Sequence, residues 1–228
     1  MAFPAYESTT PTASVGATTS HTINMPATVN SGDLLIAVNA TFPDTAINEI
    51  SGWTKILGDL DTAVAGVMAI LVRVADGTEG GGSYDFTTTS NSRMVGHIIR
   101  VSSWYGSLPG VEVGGVSGAT NAAPNAGEMT PSWGSADQLW IWFVAAGDDD
   151  ATISAAPTGY SNLVSTPSGG GTNAGCEVGT ATKTSTATSD NPDAGTISET
   201  EGYQTGVIAI RPAAAGGTIL PQMVHYYG

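Results

Sequence analysis

Basic residues are scarce in this chain of 228 residues. Six Lys and Arg stand against 20 Asp and Glu, for a formal net charge of -14. A surface that tracks phosphates needs clustered cations. Here Lys55, Arg73, Arg93, Arg100, Lys183 and Arg211 are scattered along the sequence. Nucleic acid and anionic membrane are therefore poor partners. Charged residues of both signs make up only 11% of the chain, against about 25% in an ordinary globular protein. Surface polarity must come from Ser, Thr, Asn and Gly instead. Cys176 is the single cysteine, which excludes an internal disulfide and reads as a small filler in a Gly-rich stretch. No apolar run approaches the roughly 20 residues of a membrane-spanning helix. The opening Met1–Glu7 has neither a basic nor an apolar signal region, so no signal peptide is expected. No stretch sustains a 3.6-residue apolar period, so no long helix is expected either.

What is present is β-forming. Hydrophobic residues reach 41%, enough for a core, and 30 Gly and 12 Pro supply many turns. The most informative stretch is Ser31-Gly32-Asp33 followed by the apolar run Leu34–Ala40, in which Asn39 is the one polar residue. A polar turn opening into such a run reads as a buried strand. The pattern recurs at Ser135-Ala136-Asp137 and the run Leu139–Ala146. Further anchors repeat in the same order: Gly52-Trp53 with Gly159-Tyr160, Val67–Val74 with Ala174–Ala181, and Ile98-Ile99-Arg100 with Ala209-Ile210-Arg211.

A duplicated half-unit follows, with halves of about 21–105 and 106–212. Both opening runs are apolar on both faces and require cover on both sides. The expected fold is all-β: one antiparallel, jelly-roll-like β-sandwich built from the two halves. Residues 1–20 read as an extended N-terminal arm, with an edge strand that pairs late as the alternative. Gly114–Gly127 reads as a small-residue loop, and Thr182–Thr196 as a polar, Pro-punctuated segment. Asp33 and Asp137 read as turn formers whose carboxylates bond nearby backbone N–H groups. Residues 213–228 read as a linker and a docking tail with Ile219, Leu220, Met223, Val224, Tyr226 and Tyr227 as contact residues. Phe3 and Tyr6 are the matching candidates in the arm.

The chemistry-bearing residues form no catalytic pattern. His21, His97 and His225 are far apart and sit in no ligand-spaced motif, and His97 falls inside a strand, as a structural histidine would. No Gly-x-Ser-x-Gly, His-Glu-x-x-His or P-loop sequence occurs. Asp148-Asp149-Asp150 could offer oxygens to Ca²⁺ but lacks the EF-hand order of ligands; a solvated loop tip is the simpler reading. Trp53, Trp104, Trp133, Trp140 and Trp142 could line a sugar platform. Trp140 and Trp142 share one strand face and become core if that face is covered. No catalytic residue, cofactor or metal site is expected.

Ser31–Val38, Ser51-Gly52-Trp53-Thr54, Ile70–Ala75 and Tyr84-Asp85-Phe86-Thr87 together resemble a recurrent β-rich module of tailed-bacteriophage structural proteins. The resemblance spans most of residues 13–212. It rests on turns and strands, so it transfers no catalytic role. The second half departs from it at Tyr160, where the first has Trp53, and in its polar segment 182–205.

The resemblance implies a non-enzymatic component of the virion exterior, assembled in the host bacterial cytoplasm. A capsid decoration or cement protein contacting the major capsid protein or other virion subunits is the first expectation. A tail-fibre or receptor-binding module for a cell-surface glycan is the alternative, and a sandwich-fold hydrolase a remote one. A homo-oligomer, with a trimer as the natural guess, fits either of the first two.

Overall fold

A computed structural model describes residues 2–61, 66–147, 150–170 and 175–214. In chain order the strands are β1 (Ala5–Asn24), β2 (Leu34–Phe42), β3 (Thr54–Asp61), β4 (Val67–Val74), β5 (Ser83–Ser102), β6 (Val111–Asn121), β7 (Ala136–Ala146), β8 (Ile153–Ala155), β9 (Ser161–Pro167), β10 (Glu177–Ala187), β11 (Thr196–Ile197) and β12 (Glu201–Ile210). Among the described residues the only helical element is a single 3-10 turn at Leu108–Gly110. The first half forms a sheet of order β1-β5-β2-β4-β3 and the second a sheet of order β6-β12-β7-β10-β9. These orders are the same once β6, β7, β9, β10 and β12 are matched to β1, β2, β3, β4 and β5. All pairings are antiparallel.

The two sheets pack face to face as a β-sandwich. Its connectivity is simpler than that of a jelly roll, in which strands of the two sheets interleave along the chain. Here each sheet is completed within one half, because each half supplies its own neighbours for its central strand.

The pleat explains the apolar runs. Leu34, Ile36, Val38 and Ala40 of β2 point into the core between the sheets, where they meet Leu139, Ile141, Phe143 and Ala145 of β7. Leu35 and Ala37 point the other way into a second core, with Ile23, Ile47, Trp53, Phe86 and Ile98. Trp140, Trp142, Val144 and Ala146 point outward from β7 into a third, closed by Ala126, Met129, Ala151, Ile153 and Ile197. Both central strands are thus covered on both faces, as their composition requires. Each fully buried large apolar side chain contributes about 1.5–3 kcal/mol by leaving water.

The N-terminal segment is not a free arm but the edge strand of the first sheet, the alternative its sequence allowed. Residues of β1 pair with β5 from Ala5↔Ser102 to Asn24↔Ser83, with register shifts between Ser14 and Ser20. Backbone donors and acceptors in an extended segment need partners, and the long β5 supplies them. At the shifts the two-stranded ribbon folds back over its own sheet. The Asn24 N–H donates to Thr12 Oγ1 at 3.0 Å, although twelve residues separate them.

The Gly-rich tract after Val113 is also strand: β6 runs to Asn121 and pairs with β12. Its glycines admit close neighbours rather than breaking the strand. A Cβ at Gly114 would lie 2.3 Å from Met129 Sδ, and one at Gly118 would lie 2.4 Å from Gln204 Nε2. Likewise β10 extends to Ala187, into the segment expected to be irregular.

The repeat is sharpest at its turns. Gly52 and Gly159 have φ of 81° and 84°, a region open chiefly to glycine. The following aromatic closes each turn: Trp53 N–H donates to Ile50 O and Tyr160 N–H to Pro157 O, both at 3.1 Å. Asp33 and Asp137 are not equivalent. Asp33 is a turn residue, accepting from the Asn30 N–H at 2.8 Å. Asp137 lies inside β7 and accepts from Thr186 Oγ1 of the neighbouring strand at 2.6 Å. Matching the two aspartates would put Leu34 against Gln138, on opposite sides of the pleat. The inward residues Leu34 and Leu139 show that the repeat slips by one position here.

Candidate functional site

Most buried polar groups are engaged in holding the fold, Asn39 and the indole N–H groups of Trp53 and Trp142 excepted. His97 of β5 faces the opposite sheet, 3.0 Å from Thr180 Oγ1 and 3.0 Å from Thr166 Oγ1. It is fully buried, and desolvation pushes its pKa down to about 3. It is therefore a neutral cross-sheet link, as its place in a strand suggests. Buried Cys176 donates its thiol to Ala40 O across the same core at 3.4 Å.

Asp33 pairs with Arg100 Nε at 2.6 Å with both side chains largely buried, fixing the turn before β2 to β5. Glu79 lies buried in the β4–β5 loop. Burial opposes its ionisation, but N–H groups of Asp76 and Gly77 and the guanidinium of Arg73 hold its carboxyl below the usual range. In the second half, Asp190 accepts from both Tyr160 OH and Lys183 Nζ. Burial, reinforced by that carboxylate, pushes the Tyr160 phenol far above its ordinary pKa. These groups are matched donors and acceptors in closed networks.

The tryptophans are core residues. Trp53, Trp104, Trp140 and Trp142 are buried, and Trp133 is half-buried with its indole N–H on Gln138 Oε1 at 3.0 Å. None forms an exposed sugar platform. Among the described residues no cavity of ligand size opens and no His, Cys, Asp and Glu cluster could hold a metal. Asp148 and Asp149 of the acidic tip lie outside the described residues.

The surface has one distinctive region, at the end of the sandwich where the described chain stops. Large exposed hydrophobic residues among the described ones are Phe3, Val15, Val74, Tyr105 and Val116. Three of them gather at this end. Val74, Leu34, Val101 and Tyr6 form one row across the first sheet. Phe3 lies two residues before Ala5, which pairs with Ser102. Trp104 donates its indole N–H to Gly32 O at 2.8 Å, placing Tyr105 at the same end. The Arg211 guanidinium stacks 4.4 Å from the centre of the Tyr105 ring. Pro212 bridges to Trp104, and the Ala213 N–H donates to Ser103 O. The chain is thus pinned beside this surface just before residue 215.

Of the sequence candidates, Phe3 is exposed here, whereas Tyr6 is half-buried against the main core with its hydroxyl on Thr9 Oγ1. Ile219, Leu220, Met223, Val224, Tyr226 and Tyr227 lie outside the described residues. Sequence reasoning missed Val74 and Tyr105. Val74 looks like any other member of its strand, and only the sheet's end exposes it. No family model, curated protein or solved structure matches the chain.

Proposed function

We propose that this chain is a non-enzymatic structural protein on the exterior of a bacteriophage virion, a capsid decoration or cement protein. It docks on the major capsid protein or another virion subunit and stabilises the shell by laying apolar surface across repeated sites. The observation that carries the reading is the apolar end surface of Phe3, Val74 and Tyr105 beside the point where the apolar residues 218–228 follow. Contact area there is worth roughly 25 cal/mol per Å² of apolar surface removed from water, repeated over every copy. The net charge of -14 keeps undocked copies apart in solution. It also disfavours a DNA-facing position.

Incorporation into particles tests the proposal. Deleting Thr218–Gly228, or combining Phe3→Ser with Tyr105→Ser, is expected to abolish co-sedimentation with intact particles while leaving the far-ultraviolet circular dichroism of the sandwich unchanged. Full incorporation of both variants would sink it. Binding to a glycan array without particle association would select the tail-fibre reading instead. Turnover on a panel of esters and glycosides would select the hydrolase.

A further inference from the structure

The ribbon that folds back over the first sheet covers it unlike any other layer of the molecule. It comprises residues 18–24 of β1 and 83–92 of β5, and it places Ile23 and Phe86 over Leu35, Ala37 and Ile98. Two features set its interface apart.

The first is at the bend. His21 is buried there with three hydroxyls around its ring: Ser14 Oγ is 3.1 Å from Nδ1, while Ser92 Oγ and Thr88 Oγ1 are 3.2 and 3.4 Å from Nε2. Ser14 lies on one side of the fold-back and Thr88 on the other, so the imidazole ties the ribbon to the strand beneath it.

The second is under the ribbon. Asn39, at the middle of β2, is fully buried with neither amide atom partnered, and the indole N–H of Trp53 in the same core is unpartnered too. Gly96 lies beside Asn39, and a Cβ there would be 2.7 Å from its Oδ1 and 3.0 Å from Ile23 Cγ2. Buried polar atoms without partners weaken the layer that dehydrates them.

We infer that this ribbon is an acid-sensitive flap, which opens locally about the Ser14–Ser20 bend when His21 is protonated and admits water to Asn39. The cation would be formed among these hydroxyls and the Thr18 backbone, whose hydrogen bond favours the charged ring less than burial opposes it, with no carboxylate bonded to the ring. The charged groups on the surrounding elements are otherwise engaged. On β1, Glu7 accepts from Ser102. On β5, Asp85 accepts from Thr22, Arg93 donates to Val15 O and Arg100 pairs with Asp33. In the loop after β2, Asp44 is instead exposed to solvent, near Asp61. On β3, Asp59 pairs with Lys55. Burial already lowers the pKa of His21, the direction expected for a ring that prefers to stay neutral. Low-stability elements of this kind open below the global unfolding free energy.

Amide hydrogen exchange read by mass spectrometry on the full chain tests the flap. Rates are compared at pH 7.5 and pH 5.0 after correction for intrinsic exchange. Residues 18–24 and 83–92 are expected to exchange at least tenfold faster than β2 and β7 at pH 7.5, with the gap widening at pH 5.0. His21→Gln is expected to remove the widening, since it retains a hydrogen-bonding side chain without a titration. Asn39→Leu is expected to slow exchange in the ribbon, and it serves as the second variant if His21→Gln does not fold. Ribbon protection equal to that of β2 at both pH values would overturn the inference. So would an unchanged pH response in His21→Gln, or an unchanged ribbon in Asn39→Leu.

Discussion

Acid should loosen the sandwich through His97 in a way that can be calculated. The ring sits between the sheets with only Thr166 and Thr180 to bond, and its pKa is lowered from 6.5 to about 3. In the unfolded chain the imidazole takes up a proton as pH falls through 6.5, while the folded chain resists until about pH 3. Between those values the unfolded state binds more protons, so stability falls as pH falls. The loss is fully absent above 6.5 and complete below 3. Each unit of pH in the window costs about 1.4 kcal/mol, so this one residue removes about 2 kcal/mol between pH 7.5 and pH 5.0. That is a large share of the roughly 5–15 kcal/mol typical of a folded domain.

Urea unfolding measures this, with the buried tryptophans as the fluorescence reporter. His97→Gln can still bond one threonine but cannot titrate. It is expected to be less stable than the parent at pH 7.5 by about 1–3 kcal/mol, because one hydroxyl loses its partner. Its deficit should shrink toward pH 5.0 by about 2 kcal/mol, the amount the histidine costs the parent. Carboxylates and His21 contribute to both proteins and cancel in the difference. If the two stability curves run parallel from pH 7.5 to pH 5.0, the buried neutral histidine is not the acid-sensitive group, and the reasoning fails.

Other substitutions probe the remaining supports. Arg100→Met should cost about 3 kcal/mol or more in urea unfolding, because it leaves the Asp33 carboxylate largely buried without its 2.6 Å partner. Phe143→Ala should lower stability by about 3–5 kcal/mol, since the ring is fully buried in the inter-sheet core. Gly159→Ala should cost about 1–2 kcal/mol from its φ of 84° alone, as nothing lies within 4 Å of the added Cβ. Gly52→Ala should cost more when both variants are unfolded in urea, because its Cβ would also lie 2.1 Å from Arg73 Nη1. Equal losses at the two glycines would argue that Arg73 moves aside freely.

Much of this architecture is set by local sequence. Apart from Asn39, the run Leu34–Ala40 and its counterpart Leu139–Ala146 are apolar on both phases of the pleat, so each had to be a strand covered on both sides. Gly52 and Gly159 mark two turns because their positive φ is costly for other residues. His97 inside an apolar strand could be read as structural for the same reason.

Other features depend on residues distant in sequence. Nothing near residues 1–20 says that they pair with β5 and then double back, because the partner strand lies some 80 residues away. The glycines of β6 read as a loop until Met129 and Gln204 are seen to occupy the space a Cβ would take. Trp140 and Trp142 point to one face by periodicity, but periodicity cannot say whether that face meets solvent or a third layer. The one-position slip between Asp33 and Asp137 is invisible in an alignment of similar residues and plain once the inward side chains are known. Phe3, Val74 and Tyr105 are exposed at the same end of the sandwich, where only the pairing of the strands brings them. Local sequence fixes what each segment can bury; what covers it is decided by contacts between segments that the chain brings together only when it folds.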